Sequence, residues 1–508
     1  MITSTMAMGL WDKQPQTSVK LVLALGALII VYLVILIPVY NIFFHPLRKY
    51  PGPKLWAATQ FPWLRAFIVG ALPKKTLELH NKYGPVVRTG PNELSFNSAE
   101  YWEAVMGHRK PVEPENMKAA YAVAHDPHSI VFAARDDHSR IRRMLSQAFS
   151  TSSMLEKQPI IRGYIDELVK QLHKRCQNGE AKINACVWYN CTTFDIMGDL
   201  TFHESFGCLE TGELHPWVTM IFSTIRASAL MMGLRRVPAL KPLLPLLISP
   251  NVIKQSMDHR KLTAEKVISR LALGEKPDFF QAMTSNKNDL TMSDVEIRSN
   301  AETLIIAGSE TVATALSGAS YLLTANPKKL QKLVDEIRST FTSEDEIDMV
   351  STGKLAYLQA VIEEALRIYP PAPNGFAREA PVEGATLLGQ HVPPKTVLVC
   401  QHYSSYHSEA NFKHPESFIP ERFMGDPEFS SDCREVFQPF NFGPRNCIGK
   451  NLAYVEIRMT LARIIWNFDL TLAEDCRNWF HENVEHGGFV VWAKPPLYLH
   501  FKPRKLGT

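Results

Sequence analysis

One cysteine near the C-terminus lies in a turn that suits a metal-bound thiolate. The segment 440–449 reads FNFGPRNCIG, with Cys447 between Gly443 and Gly449. Glycine permits a tight turn and a positive φ, so that backbone N–H groups can be aimed at a bulky sulfur. A predicted helix starts just beyond the turn, at Lys450, and the positive end of its dipole favours a negative charge. The turn therefore predicts an anionic sulfur ligand at Cys447.

A lone cysteine is more often a small buried residue than a ligand, so the surrounding pattern decides. Every fixed position of F-x-x-G-x-R-x-C-x-G is filled, and the turn resembles the haem-binding loop of the cytochrome P450 family. The resemblance implies that Cys447 is the axial ligand of a haem iron, where its electron donation favours O–O cleavage. It also implies that Arg445 pairs with a haem propionate and that Phe440 packs beside the ligand loop, with Gly443 and Gly449 shaping it.

A second candidate segment lies at the middle of the longest predicted helix, which runs from Ser293-Asp294 to Ala325 and is stopped by Asn326-Pro327. Gly308 costs such a helix about 1 kcal/mol relative to alanine, so it needs a reason. It either lets a ligand approach the backbone or lets another helix pack closely. The following pair, Glu310-Thr311, resembles the acid-threonine pair of the family. That resemblance implies that Thr311 orients water and delivers protons during oxygen activation, with Glu310 in the proton relay.

A Glu-x-x-R pattern places Glu364 and Arg367 on one helical face. An exposed ion pair of this spacing is worth only tenths of a kcal/mol and carries little information. Downstream, the segment 418–423, FIPERF, resembles the arginine-bearing loop of the family. The resemblance implies a buried network of Glu364, Arg367 and Arg422 that is structural and not catalytic. Removing one member of a buried network costs about 3–5 kcal/mol.

Further cofactor contacts follow from two segments. The segment 137–143, DHSRIRR, resembles the W-x-x-x-R helix of the family, with His138 in place of the usual tryptophan and Arg142 at the arginine position. An imidazole N–H can serve the same donor role as an indole N–H. Arg378 falls where family members place another propionate partner. His138, Arg142 and Arg378 are therefore candidate cofactor-binding residues.

These residues need a scaffold, and most of the chain has helical periodicity. Ile161, Ile165, Leu168 and Leu172 recur on one face of a predicted helix. Strand-like stretches are short and few, at 86–89, 396–400 and 488–492. The pattern predicts a mainly α domain with small β-sheets, and the resemblance implies the cytochrome P450 fold.

The N-terminus is different, because Leu21–Val39 is an uninterrupted apolar run of nineteen residues. As a helix it would span roughly 28 Å, which fits a bilayer core. We predict a short luminal segment over 1–20, a transmembrane anchor over 21–39, an aromatic and proline-rich hinge over 40–53, and a haem-thiolate catalytic domain over 54–508. More basic residues follow the run than precede it, which predicts a cytosolic catalytic domain on the endoplasmic reticulum membrane. The apolar, proline-broken segment 237–248 is either a second membrane contact or a buried loop.

Composition excludes several other classes of protein. The charged fraction is 21% and the formal net charge is +4, with no long basic run of the kind that binds nucleic acid. Eight scattered cysteines include no C-x-x-C pair, which argues against a disulfide framework or a zinc site.

The motifs occur in the order of the family, and the segment 45–58, HPLRKYPGPKLWAA, resembles fungal members of secondary metabolism. The resemblance implies a monooxygenase that contains haem b and inserts one oxygen atom from O₂ into an apolar polyketide, terpenoid or alkaloid. Electrons would come from NADPH through NADPH–cytochrome P450 reductase, with cytochrome b5 as a second donor. Two alternatives stay open: a haem-thiolate isomerase or dehydratase that needs no reductase, and a haem-binding sensor. Thr311 argues against both.

Two surfaces are also predicted. Substrate contacts are expected from the segment after Met106 and from 206–247, the helix around Ala307, 371–376 and 487–489, which are largely aliphatic and aromatic. Arg140, Arg143 and Lys450 form either a docking surface for an acidic reductase or a plain solvated basic face.

Overall fold

The computed structural model describes residues 14–109, 113–123, 126–237, 250–285, 290–480 and 486–505. Numbered in chain order, the helices of this part of the chain are α1 Gln14–Val31, α2 Ile37–Phe43, α3 Lys54–Ala58, α4 Phe61–Ile68, α5 Leu72–Tyr83, α6 Glu100–Met106, α7 Ala120–Val123, α8 Arg135–Ser146, α9 Thr151–Arg175, α10 Ala185–Phe202, α11 Cys208–Thr211, α12 Pro216–Arg235, α13 Pro250–Ala272, α14 Phe279–Thr284, α15 Asp294–Ala325, α16 Pro327–Thr340, α17 Met349–Thr352, α18 Ala356–Ile368, α19 His402–Tyr406 and α20 Lys450–Asn467. The strands are β1 Val86–Gly90, β2 Glu93–Phe96, β3 Met117–Lys118, β4 Lys182–Asn184, β5 Arg378–Glu379, β6 Ala385–Leu387, β7 Gln390–Val392, β8 Val397–Cys400, β9 Phe468–Leu472, β10 Gly487–Gly488, β11 Trp492–Ala493 and β12 Tyr498–Pro503.

The longest helix, α15, crosses the middle of the protein. The side chain of Ser293 accepts a hydrogen bond from the N–H of Glu296, and the side chain of Glu296 accepts one from the backbone N–H of Ser293. This capping box fixes the start of the helix. The helix ends at Ala325, where Asn326 leads into Pro327 of the next helix. Both predicted ends are confirmed, and the helix packs most extensively against α10.

The main core lies among α9, α10, α15, α18 and α20. On α9 the four predicted core residues, Ile161, Ile165, Leu168 and Leu172, are fully buried. The predicted mainly α fold with small sheets is thus confirmed.

Within the described residues, four small sheets flank the helices. The largest has the strand order β1-β2-β8-β5-β3, in which β2 and β8 are parallel and the other neighbours antiparallel. The strands predicted at 86–89 and 396–400 lie in this sheet. The stretch predicted at 488–492 is instead a hairpin of the two short strands β10 and β11, since two glycines at 487 and 488 give a longer strand no side chains to pack.

The N-terminal apolar run is helical. The stretch Val19–Phe43 has a mean hydropathy of 3.0 and is long enough to cross a membrane. Its most apolar part is not buried against the rest of the protein, whereas Asn41 near its end is buried. A π-helical turn at Tyr32–Leu36 interrupts it just before Pro38, because proline lacks an N–H and crowds the preceding turn. The helix reaches Phe43, so part of the predicted hinge continues the helix.

The buried charge network predicted from sequence is present. The guanidinium of Arg367 donates to both oxygens of Glu364, at 2.7 and 2.9 Å, and Arg422 donates to the same carboxylate at 3.0 Å. Asp432, which the sequence analysis missed, pairs with the other side of Arg422. All four side chains are about 1% exposed or less, so the network fixes α18 to the loop before the cysteine turn.

Candidate functional site

The cysteine turn is closed by backbone contacts that only particular residues allow. Gly443 has a φ of +74°, and a Cβ there would lie 2.0 Å from the carbonyl oxygen of Met106. The N–H of Cys447 donates to the carbonyl of Phe440 at 2.8 Å, and the ring of Phe440 packs against Tyr454, 5.0 Å between ring centroids. The predicted role of Gly443 in the tight turn agrees with this geometry.

Gly449 has a different role from Gly443. Its φ is −82°, which any residue adopts, and an added Cβ would lie 3.8 Å from the sulfur of Cys447. The absence of a side chain at this position therefore leaves one side of the sulfur uncovered.

Protein surrounds Cys447, yet the residue keeps solvent-accessible surface. It therefore borders a space inside the fold. Burial raises the pKa of the Cys447 thiol, while the N–H of Gly449 and the charges of Arg142 and Lys450 act in the opposite direction. Burial therefore favours the protonated thiol, and the nearby positive groups favour the thiolate. A metal must therefore displace the proton when it binds.

On α15, an exposed position appears in the middle of a buried helix. Ala307 is exposed and Thr311, one turn later, is partly exposed, although most residues after Thr311 are buried. The hydroxyl of Thr311 donates to the carbonyl of Ala307 at 2.6 Å. The helix stays α-helical through this turn, so the threonine bonds back to the preceding turn without opening the helix.

Gly308 faces another helix. A Cβ at this position would lie 2.6 Å from the sulfur of Met197 on α10. Of the two explanations weighed for this glycine, close helix packing is the one that the structure supports, and the idea of a ligand against its missing side chain is wrong.

Glu310 is turned away from Thr311 and is 2% exposed. One carboxylate oxygen pairs with the ammonium of Lys494, which also donates to the hydroxyl of Thr314 at 2.6 Å. The other oxygen has no hydrogen-bond partner in the described part of the chain. Burial raises the pKa of the Glu310 carboxyl, and Lys494 and Thr314 counteract the rise.

Beside the cysteine turn, buried cations converge. Arg445 donates to Glu115 at 2.5 Å and to the carbonyl of Ala133 at 2.8 Å, but its second terminal nitrogen is unpartnered. Arg378 is 1% exposed and lies 4.0 Å from Glu115, and its Nη1 likewise makes no hydrogen bond within the described residues.

Lys118 completes this group of cations. It is 8% exposed, and the register of β3 and β5 places it directly opposite Arg378. Burial and the charges of Arg378 and Arg445 hold the pKa of Lys118 well below its usual value. Like charges directly opposite each other destabilise a strand pair.

The two remaining predicted contacts lie at the edge of the same group. His138 is buried, and burial together with the charges of Arg445, Arg142, Lys118 and Arg378 lowers its pKa to about 3. The imidazole is therefore neutral. Arg142 donates to the carbonyl and the side-chain oxygen of Asn446 at 2.7 and 2.5 Å, which ties α8 to the cysteine turn.

This site needs an anion. Lys118, Arg142, Arg378 and Arg445 are the cations, whereas Glu115 is the one carboxylate that pairs with the group among the described residues. Buried charges without partners are costly, so a ligand with two negative groups fits here. A haem, with its two propionates and an iron for the sulfur of Cys447, has that charge pattern.

Sequence reasoning missed Lys118, Glu115 and Lys494, which belong to no motif that it used. A lysine between the apolar stretches around Met117 and Ala119 was the available signal for Lys118. Of the basic surface residues, Arg143 and Lys450 are exposed, but Arg140 is neutralised by Asp137 and Glu296. Residues 238–248 of the proposed membrane contact lie outside the described residues.

A cysteine turn capped by a helix, buried cations beside it and a long helix with an accessible threonine define a haem-thiolate protein. The chain belongs to the cytochrome P450 family, whose family model matches residues 50–501. Members of this family bind haem through a cysteine thiolate, in agreement with the charge pattern of the site.

Curated relatives extend over nearly the whole chain. Trichothecene C-15 hydroxylase of Fusarium sporotrichioides is 43% identical over 477 residues, which are 93% of this chain and 96% of the relative. Cytochrome P450 monooxygenase astA of Talaromyces wortmannii is 41% identical over 489 residues, 95% and 97% of the two chains. Averantin hydroxylase of Dothistroma septosporum is 39% identical over 472 residues, 92% and 89% of the two chains. The protein is thus a monooxygenase of the fungal secondary-metabolism type, and the isomerase and sensor alternatives are not favoured.

Proposed function

We propose that this protein hydroxylates one carbon of a bulky, largely apolar secondary metabolite, as a late tailoring step. The observation that carries the proposal is the combination of the cysteine turn with a group of four cations, three of them buried, and one carboxylate beside it. The names of the relatives, which refer to hydroxylation of a trichothecene and of averantin, support terpenoid and polyketide substrates equally. An alkaloid remains the third substrate class of the proposal.

The cofactor is proposed to be haem b. When bound, it supplies the activation of O₂ that no amino-acid side chain can perform. Cys447 would ligate the iron with its sulfur, and the N–H of Gly449 would hold that sulfur in place. Arg445, Arg378 and Lys118 would hold the propionates, with neutral His138 as an N–H donor.

Thr311 and Glu310 are proposed to handle protons. The hydroxyl of Thr311 is anchored to Ala307 at an accessible point of the central helix, where it can orient a water molecule. Glu310 pairs with Lys494 beneath that surface. By a rotation of its side chain, its carboxyl would supply the next proton to Thr311 and its water molecule. The ammonium keeps the carboxyl titratable even though it is buried.

The substrate would contact Ala307, Phe376 and the hairpin after Gly487. These positions are partly exposed or border exposed ones. The ammonium of Lys118 lies 5.1 Å from the ring centre of Phe376. A mainly apolar lining of this kind excludes highly charged substrates.

The proposed location is the endoplasmic reticulum membrane. Residues 1–20 would be luminal, the apolar helix would cross the bilayer, and the hinge through residue 53 would join it to a cytosolic catalytic domain over 54–508. NADPH–cytochrome P450 reductase would deliver electrons, with cytochrome b5 as a second donor, at a face that includes Arg143 and Lys450.

Substitution of Thr311 tests the proposed chemistry. With reductase, NADPH and a substrate found by metabolite profiling, Thr311→Ala should consume NADPH at a rate near that of the parent while forming several-fold less product. Thr324→Ala is the matched control, because Thr324 makes the same bond back to the preceding turn, 2.7 Å to Ser320, far along the helix. Equal coupling of NADPH to product in Thr311→Ala and the parent would reject the role of Thr311, and product formed without reductase would reject the monooxygenase reaction.

A further inference from the structure

A pocket of about 310 Å³ lies where the apolar N-terminal helix meets the rest of the protein. Its lining residues are Ile42, Arg48, Tyr50, Lys54, Tyr83 and Arg88, with the backbone of 51–52 and Ala57. Ile42 belongs to α2, so the pocket opens at the end of the helix that is long enough to cross a membrane. Its volume is at the lower end of small-molecule sites, roughly 300–1,000 Å³.

The pocket is held in a fixed position relative to that helix end. The side chain of Asn41 donates to the carbonyl of Ala58 at 2.9 Å, and Arg88 donates to the carbonyl of Asn41 at 2.9 Å. Asn41 and Arg88 are both buried. The pocket therefore moves with the helix and stays at one depth of the membrane interface.

The charge of the pocket has one sign. Arg48, Lys54 and Arg88 line it, and none of them forms an ion pair with a carboxylate in the described part of the chain. Arg88 is 2% exposed and donates only to carbonyl oxygens of Asn41 and Pro91. Burial lowers its pKa to about 10.

The tyrosines of the pocket are suited to the same ligand. The hydroxyls of Tyr50 and Tyr83 donate to no protein group among the described residues. The ammonium of Lys49 lies 5.3 Å from the ring centre of Tyr50, and that of Lys82 lies 5.5 Å from the ring centre of Tyr83. Three cations, two hydroxyl donors and no carboxylate are the chemistry that binds a phosphate.

We propose that this pocket binds the phosphate of an anionic phospholipid headgroup at the membrane surface. The proposal rests on the membrane placement given under the proposed function, since a lipid reaches the pocket only if the helix spans the bilayer. The bound headgroup would fix the depth and tilt of the catalytic domain, because Asn41 and Arg88 connect the pocket rigidly to both the helix and β1.

A titration of the full-length protein tests the pocket. The haem-loaded protein in a neutral detergent is titrated with a fluorescent short-chain phosphatidic acid and, separately, with the matching phosphatidylcholine. The parent should bind phosphatidic acid at least tenfold more tightly, and Arg48→Gln/Lys54→Gln should lose most of that preference, since each basic residue near an anionic lipid contributes several-fold. Both residues are exposed, so this variant should retain its haem.

Arg65→Gln/Lys74→Gln is the matched control, because both residues are basic and exposed but neither lines the pocket. It should keep the preference of the parent. An equal loss in Arg65→Gln/Lys74→Gln would show diffuse surface attraction and overturn the pocket, as would a parent without preference. Displacement of the lipid by inorganic phosphate at similar concentration would assign the pocket to a soluble phosphate and overturn the lipid assignment. Resistance of both variants to alkaline carbonate extraction reports separately on the anchor.

Discussion

The ammonium of Lys118 lies directly across a strand pair from the guanidinium of Arg378, in a buried position where like charges repel. Such an arrangement is costly, and a negative group between the two side chains would relieve the cost. The propionates of a haem provide that group. Lys118 is therefore a candidate cofactor-binding residue, although it belongs to no motif in the sequence.

Lys118→Met should weaken haem retention. Loss of one charge-assisted contact, worth about 1.5–3 kcal/mol, should speed haem transfer to excess apomyoglobin by roughly tenfold or more, while Lys118→Arg should stay close to the parent. Arg143→Met is the control, since Arg143 is an exposed basic residue next to Arg142. An unchanged transfer rate in Lys118→Met would contradict the assignment.

The pair of Glu310 and Lys494 gives a pH-dependent prediction. Burial raises the pKa of Glu310, and Lys494 opposes this rise. In Lys494→Met the carboxyl of Glu310 holds its proton to higher pH in the folded protein than in the unfolded chain. The free energy of unfolding therefore falls as the pH rises above the ordinary carboxyl pKa of 4.5. The deficit against the parent should be small at low pH and approach about 3–5 kcal/mol near pH 8.

Thermal unfolding from pH 5 to pH 8 measures this deficit. The double variant Glu310→Gln/Lys494→Met has no carboxyl to titrate, so its deficit should not grow with pH. A deficit of Lys494→Met that is the same at every pH would show that Lys494 acts by packing alone.

At the scale of elements, the cysteine turn contains two glycines that differ in what they tolerate. Gly443→Ala would place a Cβ 2.0 Å from the backbone oxygen of Met106 at a positive φ, so the turn cannot form and haem incorporation should be lost. Gly449→Ala meets only ordinary contacts, so that protein should fold and bind haem with an altered absorption spectrum. Equal haem content in the two variants would contradict this account of the turn.

The helices that carry the site were predictable to within a few residues, because the capping box at Ser293 and the stop at Asn326-Pro327 are local signals. The membership of Glu364, Arg367 and Arg422 in one network followed from the family resemblance. Lys118 and Lys494 could not be found in this way, since their partners are distant in the chain and only the packed structure brings them together. Asp432 is ten residues from Arg422 but belongs to no motif that the sequence analysis used. The burial that raises the pKa of the Cys447 thiol could not be predicted either, because burial is a property of the whole fold.

At the scale of the molecule, the N-terminal helix is long and apolar enough to cross a membrane, and its C-terminal end packs against the body of the protein. If it is the proposed anchor, deletion of residues 1–36 should release the protein from membranes under alkaline carbonate. Deletion of residues 1–43 also removes Asn41 and its two bonds to the body, which should cost a further 1–3 kcal/mol, approximately, through the unsatisfied Arg88. Tight membrane association of the 1–36 deletion would point to a second contact, with 237–248 as the candidate.

The carbon monoxide difference spectrum of the reduced, full-length protein tests whether Cys447 ligates a haem iron. We expect a Soret band at the position of a thiolate-ligated haem in the parent. We also expect the loss of that band in Cys447→Ser, whereas Cys433→Ser, a change at a cysteine outside the turn, should keep it. A parent band at the position of a histidine-ligated haem, or a thiolate band that persists in Cys447→Ser, would contradict this role of Cys447.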